Sequence, residues 1–262
     1  MRAYENHCRK LEMNVGVRES VALARGTLLT VRGRKMIPEL IVCPPFVALG
    51  EVKKVVARSA ASLGAQNMSS EDSGAFTGEI SARMLQELGV SSVILGHSER
   101  RALFGETDEQ IAKKVQQAFA HQMTPIVCVG ESTEERDAGT AREVVRNQLA
   151  GALSNTRLRG SDTLFVAYEP IWAIGTGRSA EIGDVLEMHA FIRSIVSEVF
   201  SDASAKQIRV LYGGSVNGDN AYQFFREEEV DGVLVGGASV KLNQFREIVD
   251  AAAEVLEAQS PI

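Results

Sequence analysis

Two titratable side chains follow short apolar runs, at points where strands of a parallel sheet would end. Glu169 comes just after the run 164–167, and Pro170 beside it cannot continue a central strand because it has no backbone N–H. His97 follows the run 92–95. Taken alone, either side chain also fits a solvated or hydrogen-bonded strand end. A carboxylate and an imidazole are the kinds of group that transfer protons in enzymes, so both are candidate catalytic residues.

The segment after Glu169 has the composition of a lid. Its residues are Pro170, Ile171, Trp172, Ala173, Ile174, Gly175, Thr176 and Gly177. Apolar side chains in the middle of such a loop exclude water from a site, and proline and glycine at its ends are suited to act as hinges. We therefore expect residues 171–174 to be mobile without a ligand and to become ordered when phosphate binds.

Two glycine pairs follow the last two apolar runs. Gly213-Gly214-Ser215 comes after the run 208–211, and Gly236-Gly237 comes after the run 232–235 and leads into the final helix. Small residues let backbone N–H groups approach an anion closely. A single glycine pair is usually only a turn. Two pairs at the last two strands of a βα barrel indicate a phosphate site, because such barrels commonly hold phosphate there.

The elements that must position these residues alternate strand with helix roughly every 30 residues. The predicted strands are 40–43, 62–66, 92–95, 125–129, 164–167, 208–211 and 232–235. The predicted helices include 17–31, 108–121 with a capping box from Thr107 and Gln110, 180–200 and 240–256. Closure into a barrel requires an eighth strand before Ser20. The sequence therefore predicts an α/β fold, a single (βα)8 barrel domain over residues 1–262 with parallel strands and an atypical first strand.

Composition narrows the functional classes. The 262 residues carry a net charge of −6, so there is no general basic surface for nucleic acid or for an acidic membrane. No apolar run is long enough for a membrane span, and the N-terminus lacks a signal-peptide core. Cys8, Cys43 and Cys128 are far apart and lack the spacing of metal ligands, which favours reduced thiols. We expect a cytoplasmic protein with neither a nucleic-acid partner nor a membrane partner.

Several motifs together resemble the triosephosphate isomerase family from about residue 14 onward. They are I-V-C-P-P-F at 41–46, G-A-Q-N at 64–67, G-A-F-T-G-E at 74–79, G-H-S-E-R-R at 96–101, V-C-V-G-E at 127–131, the lid, Y-G-G-S-V at 212–216 and G-V-L-V-G-G-A-S at 232–239. The resemblance implies interconversion of glyceraldehyde 3-phosphate and dihydroxyacetone phosphate, a step of glycolysis and gluconeogenesis, with neither a metal nor an organic cofactor.

The same resemblance assigns roles to individual residues. It implies that Glu169 is the catalytic base and that His97 polarises the substrate carbonyl. The positions that match phosphate-binding residues are Gly175, Ser215, Gly236 and Gly237, and those that match supporting residues are Glu99 and Cys128. It also implies a homodimer through the loop 66–79, whose threonine, Thr77, would reach toward the first strand of the neighbouring subunit.

The first strand departs from the family pattern. The family reads N-W-K-M-N where this chain, aligned on Met13-Asn14, reads Lys10-Leu11-Glu12-Met13-Asn14. By strand alternation, positions 10, 12 and 14 would share a face, so Glu12 would enter the substrate site in place of a lysine, and Lys10 would replace the asparagine that Thr77 contacts. A carboxylate there would repel a phosphate dianion.

This departure leaves three functions open. The first is a working isomerase, with turnover lowered at least about a hundredfold by the altered strand. The second is a catalytically weak or inactive phosphate-binding barrel of the same family, and the third is another phosphate-binding barrel enzyme, which the lid sequence argues against. Structurally, either residues 1–9 stay outside the sheet, or the strand pairs and Lys10 meets Glu12, Glu99 or Glu169.

Overall fold

The barrel is closed and all its strands are parallel. The structure, a computed structural model, describes residues 6–159, 162–174, 180–200 and 208–259. The strands are β1 (Asn6–Lys10), β2 (Glu39–Cys43), β3 (Ala61–Ala65), β4 (Ser92–Leu95), β5 (Thr124–Val129), β6 (Phe165–Tyr168), β7 (Arg209–Tyr212) and β8 (Gly232–Val235). Each strand pairs with the next, and β8 pairs with β1. The predicted barrel class is confirmed.

The described α-helices follow the strands around the outside of the barrel. They are α1 (Val17–Thr30), α2 (Leu49–Val56), α3 (Ala82–Glu87), α4 (Ser98–Phe104), α5 (Asp108–Ala120), α6 (Thr133–Asp137), α7 (Ala141–Ala152), α8 (Ile182–Phe200), α9 (Gly218–Phe225) and α10 (Leu242–Gln259). Short 3-10 turns span Phe46–Ala48, Ile171–Ala173 and Gly237–Val240. Among the described helices, none combines the length and the apolar composition that crossing a bilayer requires.

Apolar side chains fill two regions, as the alternation of strand residues requires. Those that point inward form one buried cluster along the barrel axis: Cys8, Ile41, Cys43, Ile94, Ile126, Cys128, Phe165, Ala167, Leu211 and Leu234. Those that point outward join the inner faces of the helices in a larger cluster. The interior is therefore a packed core, and the residues just above its last layer form the floor of any site at the carboxyl ends of the strands.

β1 is a full member of the barrel despite its polar sequence. It pairs with β2 and with β8, and Cys8 lies opposite Ile41 on one side and Leu234 on the other. The outward-facing Arg9 is fully buried and finds hydrogen-bond acceptors there. Of the two outcomes considered for this segment, residues 6–10 follow the one in which the strand pairs.

The expected strand alternation through position 12 is wrong. β1 ends at Lys10, and the Leu11 N–H makes one further bond, of 3.0 Å, to the Cys43 carbonyl. Glu12 then adopts a left-handed backbone conformation, with φ of 54°. Positions 10, 12 and 14 therefore do not share one strand face, and each must be located from the structure itself.

Candidate active site

A cleft of about 710 Å³ opens at the carboxyl ends of the strands. This is the end at which βα barrels carry their chemistry. The cleft brings together many of the residues singled out from the sequence: Lys10, Glu12, His97, Glu99, Glu169, Ile174, Ser215, Gly236 and Gly237. Gly175, Thr176 and Gly177 lie outside the described residues.

Glu169 continues β6 by one residue into the floor of the cleft. Its N–H donates to the Val129 carbonyl at 2.7 Å, and only 1% of the residue is exposed. Carboxylate Oε2 accepts a hydrogen bond of 3.0 Å from the Ser98 N–H. Burial alone would raise the pKa of this carboxyl, but interactions with His97, Lys10 and the Ser98 N–H outweigh burial and lower the pKa to about 2. The group is therefore a buried carboxylate anion.

His97 stands at the N-cap position of α4. The Glu99 N–H donates to ring nitrogen Nδ1 at 3.2 Å, so Nδ1 acts as an acceptor and the proton of the neutral ring lies on Nε2. Nε2 lies 2.9 Å from Oε1 of Glu169. The helix start thus fixes the tautomer, and it directs an N–H group into the cleft beside the carboxylate.

Lys10 brings a positive charge to the same point. Its Nζ lies 2.7 Å from His97 Nε2 and is also 3.7 Å from Glu12 Oε1 and 3.8 Å from Glu99 Oε2. The Lys10 side chain is only 8% exposed. An ammonium group and an imidazole N–H are both donors, so their convergence creates a place for an oxygen atom that carries negative charge.

Glu12 reaches the cleft from its left-handed turn instead of from the strand. A Cβ atom on Gly236 would lie 2.9 Å from Glu12 Oε1, so the carboxylate packs against the glycine-rich turn after β8. Asn14 Nδ2 donates to its other oxygen at 2.6 Å. Glu12 therefore lines the cleft, and Lys10, two residues earlier in the chain, lies beside His97.

Several hydrogen bonds hold the described part of the lid in place. The Trp172 indole N–H donates to Glu131 Oε1 at 2.8 Å, and the Tyr168 hydroxyl donates to the same oxygen at 3.0 Å. The Ser215 hydroxyl donates to the Ala173 carbonyl. Beyond the undescribed residues, the Ala180 N–H donates to the Tyr212 hydroxyl at 3.3 Å. Both sides of the lid are therefore tied to residues near the ends of β5, β6 and β7.

The residues expected to give support lie close to the catalytic candidates. Burial and the neighbouring Glu169 raise the pKa of the Cys128 thiol, which therefore stays protonated beneath the carboxylate. Glu99 is about half exposed and contacts both Lys10 and His97 Nδ1, the latter at 3.6 Å. Within the described ranges, no group of three or more His, Cys, Asp or Glu side chains is arranged to hold a metal ion.

Sequence reasoning assigned no role to three residues that the structure places against the site. Ser98 supplies the N–H that holds Glu169, fully buried Glu131 holds Trp172, and Gly130 touches the backbone of Glu169. Glu131 and Gly130 directly follow the predicted strand 125–129, so the rule that pointed to His97 and Glu169 also covers them. Backbone donors such as Ser98 leave no signal in side-chain chemistry.

Comparison with known proteins gives whole-chain matches to one family. The sequence model described as triosephosphate isomerase matches residues 10–252. A protein named triosephosphate isomerase from Magnetococcus marinus is 46% identical over 241 residues, 91% of this chain and 94% of that protein. Those from Rhodopirellula baltica and Alkaliphilus metalliredigens are 43% and 47% identical, and the matches cover 92% and 81% of this chain and 94% and 86% of those proteins.

Gly130 gives a test of how tightly Glu169 is positioned. An added Cβ would lie 1.8 Å from the Glu169 carbonyl oxygen, so Gly130→Ala must push the two backbones apart. We expect a loss of about 1–3 kcal/mol in the free energy of unfolding and a fall in turnover of up to about a hundredfold. Gly183→Ala in α8 is the control, because no atom lies within 4 Å of its added Cβ. Wild-type turnover and stability in Gly130→Ala would contradict this packing.

Proposed function

The chain belongs to the triosephosphate isomerase family, and from this premise we propose that Glu169, His97 and Lys10 carry out its interconversion of glyceraldehyde 3-phosphate and dihydroxyacetone phosphate. The observation that carries this assignment is the convergence of three groups at one point of the cleft. His97 Nε2 lies 2.9 Å from Glu169 Oε1 and 2.7 Å from Lys10 Nζ. An isomerisation between adjacent carbons needs a base for the C–H proton and donors for the carbonyl oxygen, and these groups supply both.

Substrate binding would exchange the partners of His97. His97 Nε2 lies 2.9 Å from Glu169 Oε1, and Lys10 Nζ lies beside it. A substrate carbonyl oxygen that takes the acceptor position at Nε2 displaces Oε1 of Glu169. That displacement removes one of the interactions that lower the Glu169 pKa, while burial continues to raise it. The carboxylate becomes a stronger base when the carbon that it must deprotonate is in place.

The glycine-rich turns would hold the phosphate group. The Gly236 and Gly237 backbones and the Ser215 side chain line the same cleft as Lys10. Lys241 also lines the cleft and adds a second positive charge at its rim. Gly175, which the family resemblance also implies in phosphate binding, belongs to the undescribed part of the lid. The described lid residue Ile174 lines the cleft, which supports a role for the lid in excluding water from the reaction.

The position of Lys10 removes the reason for expecting weakened catalysis. That expectation placed Glu12 where a lysine is required, but the Lys10 ammonium lies beside the two catalytic candidates. When Lys10 is aligned with the family's lysine, the family's Asn-Trp-Lys corresponds to Cys8, Arg9 and Lys10. Glu12 remains a carboxylate near the phosphate turn, where it faces Lys10 at 3.7 Å.

We further propose a cytoplasmic homodimer. The free thiols of Cys8, Cys43 and Cys128 support a reducing compartment. The loop 66–79 supports self-association, because residues 71–79 are all exposed and include Phe76, which is 48% exposed. Phe76 and Phe104 line one cleft of about 300 Å³. Two exposed aromatic side chains that line one cleft are typical of a surface that another protein covers.

Replacing Glu169 by glutamine tests the assigned base. Glu169→Gln keeps the size of the side chain but removes the proton acceptor, so kcat with glyceraldehyde 3-phosphate should fall about 10²–10⁴-fold. The inhibition constant for inorganic phosphate should change less than about threefold, because the phosphate turns are untouched. Glu254→Gln, at an exposed position of α10, controls for the loss of a carboxylate. An equal loss of turnover and phosphate affinity in Glu169→Gln would contradict the role as base.

Sedimentation velocity tests the proposed dimer. We expect a dimer at micromolar concentration for the wild-type protein. Phe76→Asp should shift the equilibrium toward monomer, because a charge would then be buried in an apolar contact. Leu29→Asp in α1 alters another exposed apolar side chain, 64% exposed, and should leave the dimer intact. A wild-type monomer at that concentration would rule out the dimer as the normal state.

A further inference from the structure

Arg9 is a fully buried arginine on the outward face of β1. Its Nε donates to the Ser239 carbonyl at 2.7 Å, and Nη2 donates to the same oxygen. Nη1 donates to the Leu23 carbonyl at 3.0 Å and to the Thr27 hydroxyl, both in α1. One guanidinium group therefore joins the first strand to the first helix on one side and to the turn after β8 on the other.

The charge of this group has no carboxylate partner among the described residues. The acceptors of Arg9 are two carbonyls and a hydroxyl, and the guanidinium carbon lies 4.3 Å from the centre of the Phe245 ring. Burial lowers the pKa of Arg9 to about 10, so the group still carries its positive charge at neutral pH. A buried, unpaired cation is costly, and side chains of this kind need a specific compensating interaction.

Ser239 is the residue through which Arg9 reaches the cleft. Its N–H donates to the Gly236 carbonyl at 2.7 Å, and its hydroxyl donates to the Lys10 carbonyl. The turn Gly237–Val240 is thereby tied to the end of β1 at two points, the Lys10 carbonyl and the Arg9 guanidinium. Gly236 and Gly237 line the same cleft as Lys10.

We propose that Arg9 is a positioning residue for phosphate binding: by holding the Ser239 carbonyl, it orients the Gly236-Gly237 backbone toward the phosphate group while β1 presents Lys10 to the carbonyl oxygen of the substrate. The inference rests on the proposed function, because it takes these glycines to be the phosphate site. Arginine suits the task because its planar fork reaches acceptors on opposite sides at once. A lysine at position 9 has a single donor head and cannot hold the Ser239 carbonyl through two N–H groups.

The positive charge of Arg9 also favours phosphate binding. No carboxylate of the described chain neutralises Arg9, so its field reaches the turn that would face the phosphate dianion. An interaction between unlike charges is strengthened in a poorly hydrated interior. The orientation of the turn and the positive charge of Arg9 therefore both favour phosphate. Arg9→Met loses both, whereas Arg9→Lys keeps the charge and loses the paired N–H contacts to the Ser239 carbonyl.

The test measures phosphate affinity separately from turnover. The inhibition constant of inorganic phosphate, kcat and KM for glyceraldehyde 3-phosphate would be determined for Arg9→Met, Arg9→Lys and Thr27→Val, well below the unfolding temperature of each variant. Thr27→Val is the matched control, since it removes an Arg9 bond on the α1 side and leaves the Ser239 carbonyl held. A purely structural role for Arg9 would lower stability in all three variants without a specific loss of phosphate affinity.

We expect the phosphate inhibition constant and KM to rise about tenfold in Arg9→Met and several-fold in Arg9→Lys, with kcat within about threefold of wild type. Thr27→Val should bind phosphate within about twofold of wild type.

Phosphate affinities in both Arg9 variants equal to that of Thr27→Val would overturn the inference. If Arg9→Met does not fold, Arg9→Lys against Thr27→Val decides in the same way. A wild-type protein that does not bind inorganic phosphate competitively would instead contradict the proposed phosphate site.

Discussion

A buried carboxylate beside two converging N–H donors is the constraint on which the site depends. Glu169 is almost completely buried, and its anionic form is stabilised by His97, Lys10 and the Ser98 N–H. These groups come from three parts of the barrel: Lys10 ends β1, His97 and Ser98 lie at the start of α4, and Glu169 follows β6. The barrel must close for them to meet. Closure in turn requires β1 to pair on both sides, and the buried hydrogen bonds of Arg9 help to make this possible.

Most of the fold could be predicted because buried parallel strands have a simple signature. The predicted strands 92–95 and 232–235 match β4 and β8, and β6 and β7 are displaced by only one residue from the predictions. The capping box of Thr107 and Gln110 marks the start of α5, as expected. Glu169 and His97 were found because polar residues that follow apolar strands in a barrel meet at one end of it. Their local sequences place them at strand ends, whereas their roles come from the resemblance of the whole chain to the family.

The first strand could not be predicted from this signature, because its residues lack the apolar pattern on which the signature depends. Strand alternation predicts a shared face for positions 10 and 12, but β1 ends at Lys10 and Glu12 takes a left-handed conformation. Aligning the family motif on Met13-Asn14 assigns the family's lysine to position 12, two residues beyond Lys10. The burial of Arg9 was also hidden, since its acceptors are backbone carbonyls and a hydroxyl more than ten residues away, and these leave no local pattern.

The central claim is that Lys10, and not the residue at position 12, supplies the positive charge of the site. Turnover of glyceraldehyde 3-phosphate by Lys10→Met and by Glu12→Gln, measured side by side, tests this most directly. The structure predicts a loss of at least about a hundredfold for Lys10→Met, because a donor that faces the developing oxyanion is removed. It predicts turnover at or above the wild-type level for Glu12→Gln, since a carboxylate near the phosphate turn is neutralised. Near wild-type activity in Lys10→Met, together with a large loss in Glu12→Gln, would contradict the account.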